Sequence, residues 1–348
     1  MRNLVPERIL NNIKVNKLSD RFDCFSMFVD ISGFTKTTEA LMKHGQEGAE
    51  VLSDILRYLF DTTVKAVYDH GGYVTKYAGD AFTAIFELKT GKGSVAANVL
   101  QAALITNNFF EENKIYSSRF GDFEFGVKVG IGYGECVCGI AGSDKEKTYY
   151  FSGSAVDLCA MAEHNAEKGQ IWASESAFSD MREKVTEFSQ SELYGLKFFR
   201  IIKASFFQTD KSGYKPEVFD KELVYTMAGK KEAEFPVGEF RDVISVFISF
   251  QGNAELSSLM ETVYKLKDMY GGSHPVLDFG DKGGNILLFF GAPVSYENNS
   301  FRALSFIMRL RYSASGFDIR AGMARGIVYC GFNGSELRNE FTCLGNTV

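Results

Sequence analysis

The strongest constraint on the fold of this chain is an internal repeat. The segment VKVGIGYGECVCGIAGSD, from Val127, aligns with IRAGMARGIVYCGFNGSE, from Ile319, at a separation of 192 residues. The same separation matches YYFSGSAV, which ends at Val156, to FTCLGNTV, which ends at Val348. A repeat of this length predicts two copies of one domain-sized unit, one after the other in the chain.

The region upstream of these segments repeats as well. FVDISG, from Phe28, matches FISFQG, from Phe247, and GGYVTKYAGD, from Gly71, matches GGSHPVLDFG, from Gly271. A chain of 348 residues is also long enough for two domains of ordinary size. We therefore expect the two copies to share one order of strands and helices.

The repeat and a polar stretch between the copies set the predicted domain boundaries. We predict a first domain over residues 20–205, a linker over residues 206–234 and a second domain over residues 235–348. Glycine and proline residues interrupt regular structure in the linker. The first copy continues beyond the point that matches the end of the second. We therefore expect the second copy to be truncated at its C-terminal end, and further C-terminal domains to follow in the natural protein.

Hydrophobic periodicity gives the order of elements in the first copy. Apolar residues recur at helical spacing over Glu47–Tyr68, and Gly71 marks the end of that helix. YVTKYAGDAFTAIF then predicts a hairpin with Asp80 at or beside its turn. The other predicted elements are a helix over Val95–Phe110, two strands over Phe123–Ile140 broken at Gly132 and Gly134, a strand over Tyr149–Ser152 and a helix from about Val156. The order β-α-β-β-α-β predicts a ferredoxin-like α+β fold.

Composition excludes several classes of function. The net charge of −6 argues against a general nucleic-acid or anionic-membrane surface. The six cysteines show no zinc-type spacing and lie mostly in apolar stretches, which predicts buried free thiols in a reducing compartment. No segment resembles a signal peptide or is long enough to span a bilayer. We therefore expect a cytoplasmic protein without a membrane span and without a nucleic-acid partner.

Two acids stand out against this background. Asp30 interrupts the apolar run FVDIS, and Asp80 lies at the predicted hairpin tip. An isolated aspartate at the end of a strand often caps the following helix, so Asp30 by itself could be such a cap. Together, the two acids are expected at converging strand ends, where their mutual repulsion favours a divalent cation such as magnesium or manganese.

The residues after Asp30 predict an anion site beside this cation. Ile31–Thr35 opens a predicted helix, whose free backbone N–H groups and dipole favour a phosphate. Lys128, on a strand that leads to a glycine-rich turn, can reach outer phosphates as a point charge, although strand lysines are usually solvated. A metal beside a phosphate site indicates a nucleoside triphosphate.

These motifs together resemble those of the class III nucleotidyl cyclases. FVDISGFT, KYAGDA about fifty residues later, VKVGIGYGE and the duplication are most similar to the tandem catalytic domains of soluble, bicarbonate-responsive adenylyl cyclases. The resemblance covers almost all of the chain from about Phe25. It implies two tandem ferredoxin-like cyclase domains that pack as an intramolecular pseudo-dimer.

The resemblance also implies roles for individual residues. Asp30, Asp80 and the Ile31 backbone carbonyl would hold two Mg²⁺ or Mn²⁺ ions. The implied substrate-binding residues are Ser32, Gly33, Phe34, Thr35, Gly79 and Lys128. The implied reaction is attack of the ribose 3′-oxygen of ATP on its α-phosphorus, which forms cyclic AMP and releases pyrophosphate.

The second copy lacks the acids. Ser249 stands at the Asp30 position and Gly280 at the Asp80 position, so this copy cannot hold the metals. By the resemblance, such a copy supplies base recognition, and Thr342 at one base-recognition position favours adenine. The lysine that reads adenine in the family is replaced by Val276, which leaves the purine open.

Other family positions also differ. The transition-state Asn and Arg would lie beyond Val348, and the first copy has Asp157 and Met161 at these positions. Lys76 matches a lysine of the bicarbonate site and is a possible regulatory residue. The arginine partner of that lysine is replaced by Ala160, so bicarbonate regulation is not expected.

The sequence therefore predicts an adenylate cyclase with ATP as substrate, acting in intracellular signalling. Two alternatives remain open: a catalytically silent nucleotide-binding module that regulates a larger signalling protein, and a guanylyl cyclase. A polymerase palm or a dinucleotide cyclase would share the paired acids. The duplication argues against both.

Overall fold

The computed structural model describes residues 3–89, 91–205, 213–217, 219–252, 255–280 and 283–348. Residues 206–212 and 218 of the predicted linker lie outside the described residues. The helices are α1 (Glu7–Lys14), α2 (Phe34–Met42), α3 (Gly45–Asp69), α4 (Lys92–Glu112), α5 (Ser154–His164), α6 (Glu175–Met181), α7 (Lys221–Ala228), α8 (Lys230–Ala233), α9 (Leu256–Tyr270) and α10 (Asn299–Ser313), with a 3₁₀ turn at Arg182–Lys184.

The strands form two larger sheets and one small hairpin. The strands are β1 (Ser19–Ser32), β2 (Tyr73–Ala78), β3 (Ala81–Glu87), β4 (Ile115–Ser118), β5 (Gly121–Glu124), β6 (Gly126–Gly142), β7 (Lys147–Ser152), β8 (Gln170–Ser174), β9 (Val185–Leu193), β10 (Leu196–Ala204), β11 (Glu239–Gly252), β12 (Val276–Gly280), β13 (Gly283–Phe290), β14 (Phe317–Ser335) and β15 (Arg338–Leu344). The first sheet has the order β2-β3-β1-β6-β8-β10-β9, with β7 on the far part of β6. The second sheet has the order β12-β13-β11-β14-β15, and β4 pairs with β5.

The first sheet follows the predicted element order closely. Its central strand β1 lies antiparallel between β3 and β6, and β6 pairs in parallel with β8. Helix α3 was predicted over Glu47–Tyr68, and Leu52, Ile55 and Leu59 of its apolar stripe are fully buried. Burial of that stripe against the sheet is what stabilises a helix of this kind in water.

Two predictions about strands in this sheet were wrong. Asp30 does not end β1, which continues to Ser32. Gly132 and Gly134 do not break the following segment, because β6 is one continuous strand. The glycines instead allow helix α5 to approach the sheet: a Cβ at Gly132 would lie 2.4 Å from the Ala155 carbonyl oxygen, and one at Gly130 would lie 2.0 Å from the Cys159 carbonyl oxygen.

The second sheet repeats the strand register of the first at the positions of Asp30 and Lys128. Asp30 lies opposite Lys128 on the β1–β6 ladder. Ser249 lies opposite Arg320 on the β11–β14 ladder. Lys128 and Arg320 are separated by the same 192 residues as the repeated segments.

The two larger sheets share part of one hydrophobic core. Helix α3 packs on β14 and β11, and β7 packs on β12. Tyr329 and Leu344 of the second sheet are buried in the same hydrophobic cluster as Leu56 and Phe60 of α3. The relative position of the sheets is therefore fixed by apolar contact.

The structure describes all six cysteines and ten α-helices within its described residues. All six cysteines are buried and free, as predicted. Within the part of the chain that the structure describes, no helix combines the length and apolar character needed to cross a bilayer.

Candidate active site

Strand pairing brings Asp30, Asp80 and Lys128 to one end of the first sheet. Asp30 lies directly opposite Lys128 on β6 and opposite Ala81 on β3. Asp80 precedes Ala81 in the β2–β3 turn, and its backbone carbonyl accepts a hydrogen bond of 3.3 Å from the Ile31 amide. The predicted convergence of the two acids is thus present in the structure, and Ile31 links them through the backbone.

Lys128 is held between two carboxylates. Its Nζ lies 3.2 Å from Oδ2 of Asp30 and 2.5 Å from Oε1 of Glu163 on helix α5. Burial favours the neutral amine, but the two carboxylates outweigh it and raise the pKa of Lys128 above its ordinary value. The lysine is therefore a charged group at the edge of the acid pair.

Glu163 was missed in the sequence. A signal was present, because Glu163 lies on the same face of α5 as the buried residues Ala155, Cys159 and Ala162. An acid on the sheet-facing stripe of a helix needs a cationic partner, and Lys128 is that partner.

The carboxyl of Asp80 has a raised pKa. Its burial, followed by the negative charge of Asp30, raises the pKa of Asp80 to about 6, and Lys128 offsets only part of this. Two half-buried carboxylates with one shared lysine leave an excess of negative charge at this end of the sheet. A divalent cation bound there would relieve it.

The turn after β1 depends on a glycine at position 33. Gly33 has a φ of 104°, and a Cβ there would lie 2.2 Å from the Glu124 carbonyl oxygen, so no other residue fits. Helix α2 begins at Phe34, whose side chain is buried, while Thr35 is exposed. The hydroxyl of Ser32 is buried and makes no hydrogen bond within the described structure.

The second sheet reaches this region through β14 and β15. Asn333 donates a hydrogen bond of 2.6 Å to the carbonyl oxygen of Gly79, the residue before Asp80. Thr342 lies on β15 opposite Gly331, is half-buried, and its hydroxyl lies 3.4 Å from the Cys343 carbonyl oxygen. No described contact joins Thr342 to the acid pair.

Lys76 lies elsewhere. It lines a separate cavity at the junction of the sheets, where its Nζ donates to the Leu277 carbonyl oxygen and lies 3.7 Å from Oδ1 of Asp278. Val276 lines the same cavity, and Asp30 and Asp80 do not. Val276, which by the resemblance replaces the adenine-reading lysine, therefore shares a cavity with Lys76.

The donor set at Asp30 and Asp80 fits a hard divalent ion. The set consists of two carboxylates, and the buried hydroxyl of Ser32, two residues after Asp30, has no hydrogen-bond partner within the described structure. The described residues contain no cluster of three or more His, Cys, Asp or Glu side chains placed to hold a metal. The remaining ligands of such an ion would therefore be backbone or substrate oxygens.

The chain is similar in sequence to known adenylate cyclases. The chain is 24% identical over 389 aligned residues to adenylate cyclase type 10 of Rattus norvegicus, with 94% of this chain and 23% of that protein covered. It is 30% identical over 164 aligned residues to adenylate cyclase of Anabaena cylindrica, with 46% of this chain and 30% of that protein covered. The chain thus spans about a quarter of the length of the type 10 relatives it matches.

Among solved structures, the adenylyl cyclase CyaB from P. aeruginosa matches with 21% identity and a TM-score of 0.44, over 54% of this chain and 97% of that chain. Residues 18–205, which include Asp30, Asp80 and Lys128, match the family model described as the adenylate and guanylate cyclase catalytic domain. The chain therefore belongs to the family of adenylate and guanylate cyclase catalytic domains.

Proposed function

We propose that the protein is an adenylate cyclase that converts ATP to 3′,5′-cyclic AMP and pyrophosphate in intracellular signalling. The observation that carries the proposal is the convergence of Asp30 and Asp80 next to Lys128, at the start of a turn that only glycine can form. The relatives named above are adenylate cyclases, which supports ATP as the substrate.

Each residue has a distinct task in this reaction. Asp30 and Asp80, with the Ile31 carbonyl, would hold two Mg²⁺ or Mn²⁺ ions. When bound, these ions supply neutralisation of the triphosphate charge and a lowered pKa for the ribose 3′-hydroxyl. Lys128 exchanges its ion pair with Asp30 for the outer phosphates. Ser32–Thr35 and Gly79 line the triphosphate.

We further propose that the active site lies between two tandem cyclase domains, residues 20–205 and 235–348, joined by residues 206–234. The buried contact of α3 with β14 supports the pairing within one chain. The second domain carries Ser249 where the first carries Asp30, so one metal site is expected for each chain. Thr342 would contribute to adenine recognition.

One observation favours a different function. Val276 stands where the resemblance places the adenine-reading lysine, and a valine side chain cannot hydrogen-bond a base. This substitution would suit a nucleotide-binding module that regulates other domains without turnover. The same observation leaves guanine as a possible base.

The decisive experiment measures cyclic nucleotide production by the natural full-length protein with ATP or GTP and with Mg²⁺ or Mn²⁺. The Asp30→Asn variant is compared with Asp122→Asn, which alters an exposed aspartate on β5. The proposal expects metal-dependent cyclic AMP that is lost in Asp30→Asn and retained in Asp122→Asn. ATP binding without cyclic product from either nucleotide would refute the cyclase and leave the regulatory module.

A further inference from the structure

Strand β2 of the first sheet and the turn that follows it are hydrogen-bonded to the β14–β15 hairpin of the second at Thr75, Tyr77 and Gly79. The Thr75 carbonyl oxygen accepts a hydrogen bond of 3.3 Å from Nη2 of Arg338. The Tyr77 hydroxyl donates one of 2.8 Å to the Arg338 carbonyl oxygen. The Gly79 carbonyl oxygen accepts one of 2.6 Å from Nδ2 of Asn333. This series runs along β2 and ends one residue before Asp80.

The side chains that make these contacts are buried. Arg338 and Asn333 are both 0% exposed. Nη2 of Arg338 also donates to the Tyr149 hydroxyl at 2.6 Å and to the Glu340 carboxylate at 3.1 Å. Breaking one of these contacts would leave a buried polar group unpaired, so the contacts are strongly favoured over separation of the two strands.

The backbone of the β14–β15 hairpin is shaped around β2. Gly334, next to Asn333, has a φ of 117°, and a Cβ there would lie 2.6 Å from the Tyr77 hydroxyl. A glycine at this point allows the tyrosine to reach the Arg338 carbonyl oxygen. The contact is therefore built into the backbone of the second sheet and is not a chance meeting of flexible side chains.

The turn that carries Asp80 is consequently held from two sides. On one side, the Ile31 amide of β1 donates to the Asp80 carbonyl oxygen. On the other side, Asn333 holds Gly79, whose φ of 64° lies in the left-handed region that glycine tolerates best. A turn with one flexible glycine would otherwise sample other positions of the Asp80 carboxylate.

We propose that Asn333 is a positioning residue for Asp80, and that the β14–β15 hairpin sets the affinity of the acid pair for divalent metal. The inference rests on the proposed metal site and extends it to a residue of the second sheet. The second copy lacks its own acids but still controls metal binding by the first.

The test is a titration with Mn²⁺ alone, followed by electron paramagnetic resonance in the absence of nucleotide, on the full-length protein. Asn333→Ala should weaken Mn²⁺ binding about fivefold, the value of one net hydrogen bond. Tyr77→Phe removes only a hydroxyl and should weaken it about twofold. Asn346→Ala is the matched control, because Asn346 also donates a hydrogen bond from the second copy to the first, but to Glu39 on α2 and not to β2 or its turn. It should leave Mn²⁺ affinity unchanged.

Amide hydrogen exchange gives a second readout that does not depend on metal. Residues around Gly79 and Asp80 should exchange faster in Asn333→Ala than in the wild type, while α4 should be unaffected. If Asn333→Ala fails to fold, Tyr77→Phe decides by the same two measurements.

The outcomes separate this inference from the proposed function. Suppose that Asn333→Ala and Tyr77→Phe both keep the Mn²⁺ affinity and the amide exchange rates of the wild type, and that Asp80→Asn loses Mn²⁺ binding. This result would overturn the positioning role of Asn333 and leave the metal site intact. Mn²⁺ binding that is unaffected by Asp80→Asn would overturn the metal site and the positioning role together.

Discussion

The raised pKa of Asp80 predicts that this residue destabilises the protein in the absence of metal. In the folded state the pKa of Asp80 is raised from 3.8 to about 6 by burial and by the charge of Asp30. The native state therefore holds this proton more tightly than the unfolded state does. The resulting stability is fully present below about pH 4 and is lost as the pH rises through about 6.

The size of the effect follows from the shift. A change of about two pKa units corresponds to roughly 3 kcal/mol, which is an upper limit because the carboxylate is partly solvated. Asp80→Asn removes the titrating group and keeps its shape. We therefore expect the variant to be more stable than the wild type by up to about 3 kcal/mol at pH 8, and to match it at pH 4.

Urea denaturation at several pH values measures this directly. Asp122→Asn, on the exposed face of β5, is the control: it keeps Asp80 and should follow the pH dependence of the wild type, with no stabilisation that grows from pH 4 to pH 8. Saturating Mn²⁺ should raise the stability of the wild type and not that of Asp80→Asn. If the wild type is as stable as Asp80→Asn at pH 8, the ionised Asp80 carboxylate does not destabilise the folded state, and the reasoning is refuted.

Two further predictions concern the turn and the lysine. Gly33→Ala should lower the free energy of unfolding by about 1–3 kcal/mol more than Gly121→Ala. Both glycines have positive φ, but only at Gly33 would the added Cβ collide with a backbone atom, the Glu124 carbonyl oxygen. Equal losses of stability in urea denaturation would contradict this prediction. Lys128→Gln should weaken ATP binding about tenfold or more, because a charged hydrogen bond to phosphate is lost. The control is Lys168→Gln, which removes a lysine from an exposed ion pair with Glu124 and should bind ATP as the wild type does in calorimetric titration. Equal ATP affinities of Lys128→Gln and Lys168→Gln would contradict the role of Lys128.

Local patterns in the sequence were sufficient for the elements that carry the acids. The apolar stripe of α3 and the glycine after it predicted that helix to within two residues at each end. The hairpin and the position of Asp80 in its turn also follow from short-range signals, since turn chemistry is decided by adjacent residues. The convergence of Asp30 with Asp80 then follows from strand adjacency.

The remaining features depend on contacts between distant parts of the chain. Gly132 reads as a strand break by itself, and its true role is clear only when α5 lies against it. Glu163 and Asn333 contact residues 35 and 254 positions away, respectively. The buried face of α5 indicates that Glu163 needs a cationic partner, but no local signal specifies which one, because tertiary packing selects it. The positions of Thr342 and Val276 relative to the substrate remain predictions for the same reason.

The burial of Tyr329 and Leu344 among the side chains of α3 has a consequence for how the molecule unfolds. Loss of the second sheet would expose apolar surface on the longest helix of the first, so neither sheet can melt without raising the free energy of the other. The two sheets are then expected to behave as one cooperative unit, with a single calorimetric transition in place of two. A substitution that loosens β14 would shorten the lifetime of the entire folded chain.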